Sequence, residues 1–257
     1  MPLDPGDKTA LEHAIVRGWP ALAATEIDGW LARWSSGASI RANSVAALTF
    51  TGADVDAALN EVVRFYRQRN AVPRFTITDI AAPAGLDRCL EQRGWQRVGQ
   101  NVTYTKEVDG GVPSPADLCP SAANLQIERA CNRSEAWSEI YLAGLSPDRR
   151  AIALQLVDGT PAPRVFFSAL RSGVVIASGL TVLDGTLASV QCIATLASAR
   201  RTGAATALLC AIERYAVANG ARRLYLQTEA ANTTALSIYT RYGFRLAGCY
   251  HTRELRT

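Results

Sequence analysis

The sequence predicts an α+β fold made of two related modules, each a mixed, mostly antiparallel sheet flanked by helices. Three observations predict it: turn dipeptides that break apolar runs into hairpins, a long amphipathic helix set between strands, and a match of the chain to itself at one fixed offset. In the second half, Ser134 caps an apolar-periodic helix through Leu142, and Arg164–Arg171 is a β-rich run. Ser172-Gly173 turns it into Val174–Ala177, and Asp184-Gly185 turns the chain again into the strand Leu187–Thr195. Gly203 to Asn219 reads as the long helix, closed by Gly220. Leu224–Thr228 follows as a short strand, Thr233–Tyr242 as a helix, and the chain from Arg245 as a final strand pair.

The self-match has an offset of 149 residues, laying Arg74–Pro83 on Arg223–Asn232. Gly94-Trp95 falls on Gly243-Phe244, Tyr66 on Tyr215 and Asn70 on Asn219, so one offset serves helix, strand, helix and strand in order. A hairpin turn at Ser36-Gly37 falls one residue from the place matching Asp184-Gly185. Too few residues precede Ile27 for the helix pair expected over Ser134–Leu156, so the first copy is truncated. Val108–Asp117, with two glycines and two prolines, marks the boundary. The expected organisation is residues 1–107, a linker over 108–123, and residues 124–257.

Composition narrows the function classes. At 257 residues, 48% apolar and 19% charged, the chain can bury one large core or two modest ones. A net charge of +4 is small for a dedicated nucleic-acid binder, and no basic stripe or helix-turn-helix pattern stands out. Lys8 and Lys106 are the only lysines among 27 basic residues, an arginine bias that names no partner. The longest apolar run, near Gly203–Ile212, is about half of the roughly 20 residues a membrane helix needs. No basic stretch followed by an apolar one opens the chain, so a cytoplasmic protein is expected. The six cysteines are scattered, which argues for buried free thiols and no metal site.

The sharpest local feature runs from Thr195 to Leu209, a strand ending in a small-residue turn that opens a helix. Free backbone N–H groups and the helix dipole make such a helix start an anion site. Small residues at Gly203, Ala204 and Ala205 let a phosphate approach the backbone, and Arg200 and Arg201 add positive charge. Downstream come Glu229, then Asn232, a helix containing Tyr239, and Gly243-Phe244.

Together, Arg200-x-x-Gly203-x-Ala205 and the Asn232…Tyr239…Gly243-Phe244 segment resemble the GNAT superfamily of acyl-CoA-dependent N-acetyltransferases. The resemblance covers residues 124–257 and implies acetyl-CoA as cosubstrate, with no metal. It implies that the backbone of Cys192, Ile193, Ala194 and Thr195 pairs with the pantetheine arm and acetyl group. It implies that the N–H groups of Arg200, Arg201, Thr202, Gly203, Ala204, Ala205 and Thr206 hold the pyrophosphate. Asn232 would contact the pantetheine, and Tyr239 would lie near the thioester sulfur.

The chemistry then assigns roles. An amine attacks a thioester only as the free base, and the departing thiolate benefits from a nearby acid. Tyrosine suits the acid role because its phenol is protonated at neutral pH, and a packing role for Tyr239 is the competing reading. Glu229, close in sequence to the expected acetyl site, is the candidate base, with a solvated strand end or an ammonium contact as alternatives; Glu128 and Asp184 are weaker candidates. Direct attack needs no covalent intermediate, so Cys192 is a backbone contact and not a nucleophile.

The first copy is a control. At the same offset Tyr239 maps to Leu90, Asn232 to Pro83, and the turn to Thr51–Asp56, where two carboxylates would repel a pyrophosphate. The first copy is expected to have kept the packing and lost the cofactor site, serving to wall a cleft, with Arg41, Asn43 and Ser44 either facing substrate or satisfying one another. Trp30 and Trp34 share a strand face and pack the core. The expected function is transfer of acetyl from acetyl-CoA to the amine of a small molecule. A protein or peptide acceptor and a non-catalytic acyl-CoA sensor are the alternatives. No nucleic-acid or membrane partner is expected, and the two halves are expected to form an internal pseudo-dimer within a monomer.

Overall fold

The computed structural model describes residues 3–37, 39–109 and 111–256, so Gly110 of the expected linker lies outside the described residues. The elements in order are α1 (Pro5–Gly18), β1 (Ala23–Ile27), β2 (Trp30–Trp34), β3 (Val45–Ala46), α2 (Val55–Arg67), β4 (Arg74–Ile77), α3 (Leu86–Gln92) and β5 (Gln96–Glu107). The short α4 (Pro115–Leu118) follows, then β6 (Gln126–Ala130), α5 (Glu135–Leu142), α6 (Pro147–Asp158), β7 (Arg164–Arg171), β8 (Val174–Asp184), β9 (Leu187–Ser189) and β10 (Gln191–Thr195). The chain ends with α7 (Ala204–Ala218), β11 (Arg223–Glu229), α8 (Thr233–Arg241) and β12 (Arg245–Glu254).

Local chemistry sets the boundaries. Asp4 accepts a hydrogen bond from the Asp7 N–H at 2.8 Å, with Pro5 opening α1, and Ser134 accepts from the Trp137 N–H at 3.1 Å to start α5. Asp28 (φ +47°) and Gly29 (φ +86°) make the tight β1–β2 hairpin, the left-handed pair a two-residue turn demands. Ser36-Gly37 therefore does not form a tight hairpin as expected; it opens the longer connection over 35–44 between the antiparallel β2 and β3.

The strands form one sheet in the order β1-β2-β3-β4-β12-β5-β11-β9-β8-β7-β6, with β10 paired to β8. The two halves exchange their last strands: β12 pairs with β4, and β5 pairs with β11. The run from Arg245 is therefore one long strand and not a strand pair, because its partners come from the first half. Asn101 pairs with Tyr250, its own counterpart at the offset of 149, so a local two-fold axis passes through that pair. The symmetry is imperfect. Arg74 pairs with Glu254, whereas Arg223 pairs with Glu107 and not with Thr105, which sliding β11 by two residues explains.

One face carries α7 and α8, packed on Phe167, Ile176, Leu224 and Leu226, and in the first half α2 and α3 pack on Phe75 and Ile77. Trp30 is fully buried in that first-half core, and Trp34 packs at its margin. The opposite face carries α5 and α6, on Phe166 and Leu180, and α1, on Tyr225. Two polar seams tie the exchanged strands down. Lys106 of β5 pairs with both carboxylate oxygens of Glu213 on α7 and sits 4.6 Å from the Tyr242 ring centroid. Asp87 of α3 accepts from Arg253 at 2.7 Å and lies 2.8 Å from His251, both on β12.

All six cysteines are free, as expected, but only Cys210 is fully buried; Cys131 and Cys249 are exposed, which corrects the expectation of burial. No helix among the described residues is long and apolar enough to cross a membrane, and no group of three metal-binding side chains stands together among them.

Candidate active site

The site begins where two neighbouring strands part. β9 runs parallel to β11 from Leu187↔Arg223 to Ser189↔Tyr225, and the Val190 N–H donates to the Tyr225 carbonyl at 2.7 Å. From Gln191 onward β10 pairs with β8 alone, while β11 continues against β5 to Glu229. A V-shaped opening results, with one unpaired strand edge on each side.

β10 is bulged. Its register jumps from Gln191↔Leu180 to Ala194↔Ser178, and Cys192 adopts φ +54°, a left-handed conformation costly for a side chain. The bulge sends neighbouring side chains to opposite faces. Ile193 lies against Gly179, where a Cβ would stand 2.9 Å from it, and joins the α7 core. Cys192 joins the Trp137 and Trp19 cluster beside Tyr141. Burial pushes the Cys192 thiol up to about 12, which makes it a poor nucleophile at neutral pH.

Below the bulge, the strand ends at Thr195 and the turn leads to α7. Gly203 is the helix's N-cap with φ +81°, and no side chain caps the first turn, so the N–H groups of Ala204, Ala205 and Thr206 are unused by the helix. A Cβ at 203 would lie 2.7 Å from Ala122, so glycine is required for space as well as conformation. Arg200 and Arg201 are exposed and carry no ion pair among the described residues. The Thr202 hydroxyl donates to the Ala199 carbonyl at 2.6 Å, holding the turn. An uncapped helix start flanked by two guanidiniums fits a pyrophosphate.

The Asn232 carboxamide oxygen accepts from the Ala235 N–H at 3.2 Å and caps α8, which leaves its NH₂ to bind something else. Tyr239 lies on the α7 side with its ring 5.9 Å from Phe244, and its hydroxyl has no hydrogen bond among the described residues. Burial pushes that phenol up to about 12. Glu229 is exposed at the end of β11. Glu128 is exposed on β6, and Asp184 accepts from Arg17 at 2.9 Å, anchoring α1 and leaving it no part in the opening.

The structure sorts the polar cluster of the first half. Asn43 is absorbed by its own loop, accepting from the Ser35 N–H at 2.7 Å, and Ser44 bonds Thr76 at 2.7 Å. Arg41 alone crosses to the second half, donating to Gln227 of β11 at 2.8 Å.

The family described as "Probable histone acetyltransferase Rv0428c C-terminal" matches residues 6–253. The chain belongs to that family, within the GNAT N-acetyltransferases. This GNAT protein is 28% identical over 256 residues to the "Uncharacterized N-acetyltransferase YobR" of Bacillus subtilis, covering 97% of this chain and 99% of the relative. It is 27% identical to the "Probable histone acetyltransferase Rv0428c" of Mycobacterium tuberculosis, covering 96% of this chain and 72% of that one. Among solved structures, a GCN5-related N-acetyltransferase from Kribbella flavida superposes with TM-score 0.72 at 17% identity over 97% of this chain and 96% of its own. A tandem GNAT protein from the clavulanic acid biosynthesis pathway superposes with TM-score 0.63 at 13% identity, covering 82% of this chain and 74% of its own. The mixed, mostly antiparallel α+β fold is thus that of the GNAT acyltransferases.

Sequence reasoning missed what this GNAT protein places beneath α1, next to the opening. Glu12 of α1 and Arg33 of β2 line a cavity there, together with Arg41 and Gln227. Neither Glu12 nor Arg33 belongs to a motif; only the strand exchange and the path of α1 bring them to the second half.

Proposed function

We propose that this acetyltransferase moves the acetyl group of acetyl-CoA to the amine of a small-molecule acceptor by direct attack. The observation that carries the reading is the β10/β11 opening, with an uncapped helix start and a free phenol on one face and a polar cavity on the other. In this reading residues 1–107 and 124–257 are two modules joined by 108–123, and only the second binds the cosubstrate. The N–H groups from Arg200 to Thr206 hold the pyrophosphate, aided by the two guanidiniums. The backbone from Cys192 to Thr195 pairs with the pantetheine arm, and the Asn232 NH₂ donates to it.

The amine lone pair attacks the thioester carbonyl carbon, the new C–N bond forms and the C–S bond breaks. Tyr239, whose phenol is protonated at neutral pH, donates its proton to the departing thiolate. The amine's own proton leaves to a carboxylate on the acceptor side. Glu229, at the solvent end of β11, takes it through water. A second reading places Glu12 in that role. Burial and the neighbouring Asp79 push its carboxyl up to about 7, near the pH at which a general base works best, and Lys8 opposes the shift.

A small acceptor is favoured over a protein because α1 roofs the cavity, with Glu12, Ile15, Val16 and Trp19 of that helix and its C-terminal end closing it on one side. The free Tyr239 hydroxyl favours catalysis over sensing, since binding alone needs no acid there. A panel of amino acids, polyamines and lysine peptides, scored by CoA release, tests the reading. Turnover of one or more small amines above any peptide supports it, and CoA binding with no turnover of any amine favours the sensor.

A further inference from the structure

The cavity beneath α1 is built for a negative charge. Glu12, Arg33, Arg41, Thr78, Gln227 and Tyr250 line it. Arg33 is only 4% exposed, and the hydrogen bond its guanidinium makes is from Nε to the Ser44 carbonyl at 3.2 Å. Neither Arg33 nor Arg41 has a carboxylate partner among the described residues. Buried guanidiniums are ordinarily paired, because removing a charge from water is costly without a counter-ion. Here desolvation, reinforced by Arg41, pulls Arg33 down to about 10. Thr78 Oγ1, also on this cavity, is buried with no hydrogen-bond partner.

Arg41 fixes where this charge acts. It bonds Gln227, two residues past the point where β11 parts from β9, and lies 5.6 Å from the Trp19 ring centroid, in the cluster that holds Cys192. The guanidiniums therefore belong to the acceptor side of the opening and come from the half that lacks a phosphate turn. Glu12 lines the same cavity with no hydrogen bond or ion pair among the described residues, and the charges nearest its carboxyl are Asp79 and Lys8.

We propose that this cavity binds the acceptor, and that the acceptor is a small amine bearing a carboxylate held by Arg33 and Arg41, with its ammonium toward Glu12. The proposal rests on the acetyl-transfer reading above. A guanidinium presents a planar fork of donors that matches a carboxylate, and Thr78 supplies a further donor. A lysine-rich peptide would bring positive charge to a cavity that already holds two unpaired cations.

The test uses the full chain and matched acceptors: an amino acid, its amide, an aminoalkyl phosphate and a lysine-rich peptide, each measured for kcat/KM and for added thermal stability of the CoA complex. Stabilisation by acetyl-CoA without acceptor reports separately on the transfer reading. The acid should exceed its amide at least tenfold. Arg41→Met should collapse that ratio to under twofold through KM while acetyl-CoA stabilisation persists, and Arg33→Lys, which keeps the charge but loses the fork, should reduce it partway. An acid neither turned over nor bound better than its amide, while acetyl-CoA still binds, overturns the proposal. So does a lysine-rich peptide as the better substrate. An aminoalkyl phosphate preferred over every acid overturns the choice of carboxylate.

Discussion

Asp54 and Gly203 occupy the same structural position, 149 residues apart, as N-caps of α2 and α7. Asp54 fills the start of its helix with its own carboxylate, accepting from the Asp56 and Ala57 N–H groups at 2.8 and 3.2 Å. Gly203 has no side chain to cap α7, so the N–H groups of that first turn are unused by the helix. One helix start is closed to anions, and the other is available.

Gly203→Asp should therefore convert the second site toward the first. Acetyl-CoA affinity is expected to fall at least about 100-fold, since the carboxylate competes for the N–H groups and repels the pyrophosphate. Arg200→Ala and Arg201→Ala should each weaken binding about 3- to 10-fold, corresponding to about 0.7–1.4 kcal/mol, with a loss that shrinks at high salt. Isothermal titration at two ionic strengths checks both. The melting temperature of the free Gly203→Asp protein separates lost binding from the strain of a side chain against Ala122.

Tyr239→Phe removes the only polar atom of the side chain and keeps the contact with Phe244. Turnover should fall about 10²- to 10⁴-fold, the usual range for a general acid, with the KM for acetyl-CoA nearly unchanged. Because burial pushes this phenol up to about 12, the wild-type enzyme should show no loss of kcat from its ionisation below about pH 10. Steady-state kinetics from pH 6 to 10 measures both.

Glu12 links pH to stability. Its carboxyl is pushed up to about 7 in the folded protein, so the folded state holds a proton that the unfolded chain has released. That contribution is complete below the unfolded carboxylate pKa and is lost as pH rises through about 7. Glu12→Gln should thus raise the unfolding free energy at pH 8 by about 1–2 kcal/mol, a figure discounted for the carboxyl's partial solvent access, and change it little at pH 4. If Glu12 is the base, the same variant abolishes the rise of kcat/KM near pH 7. If Glu229 is the base, Glu229→Gln removes activity and the Glu12→Gln profile keeps its shape. Denaturant titrations and pH–rate profiles of the two variants decide.

The Lys106–Glu213 pair joins β5 of the first half to α7 of the second, with both side chains largely withdrawn from water. Lys106→Met should cost about 3–5 kcal/mol, because it strands the Glu213 carboxylate in the core. Lys106→Met with Glu213→Leu should recover most of that loss. Urea unfolding of the three proteins measures it, and a single variant within about 1 kcal/mol of wild type would contradict a buried, mutually dependent pair.

Much of the second half was legible in the sequence because its signals are local. Ser134, Ser172-Gly173, Asp184-Gly185 and Gly220 fix ends and turns by backbone chemistry confined to a few residues. Asp28-Gly29, the turn of the β1–β2 hairpin, is an equally local signal, and Ser36-Gly37 resembles it in composition without closing a tight hairpin. The exchange of β5 and β12 was not legible, since either strand presents the same alternating face whether it pairs within its own half or across. The bulge at Cys192 was equally hidden: nothing in a cysteine's sequence context announces φ +54°. The turn into α7 could be read because Gly203 and the small residues after it are a local signal for a helix start. Glu12 and Arg33 could not, because their meaning depends on α1 crossing the seam between the halves.

Hydrogen–deuterium exchange of the full chain with and without saturating acetyl-CoA measures most directly whether only the second helix start binds the cosubstrate. Exchange should slow at the amides of 192–195 and 201–206 and not at 54–57, with an added stability of about 2.7 kcal/mol when the ligand stands at 100 times its Kd. Protection over 54–57, or none at 201–206 with acetyl-CoA bound, would contradict binding at the second helix start alone.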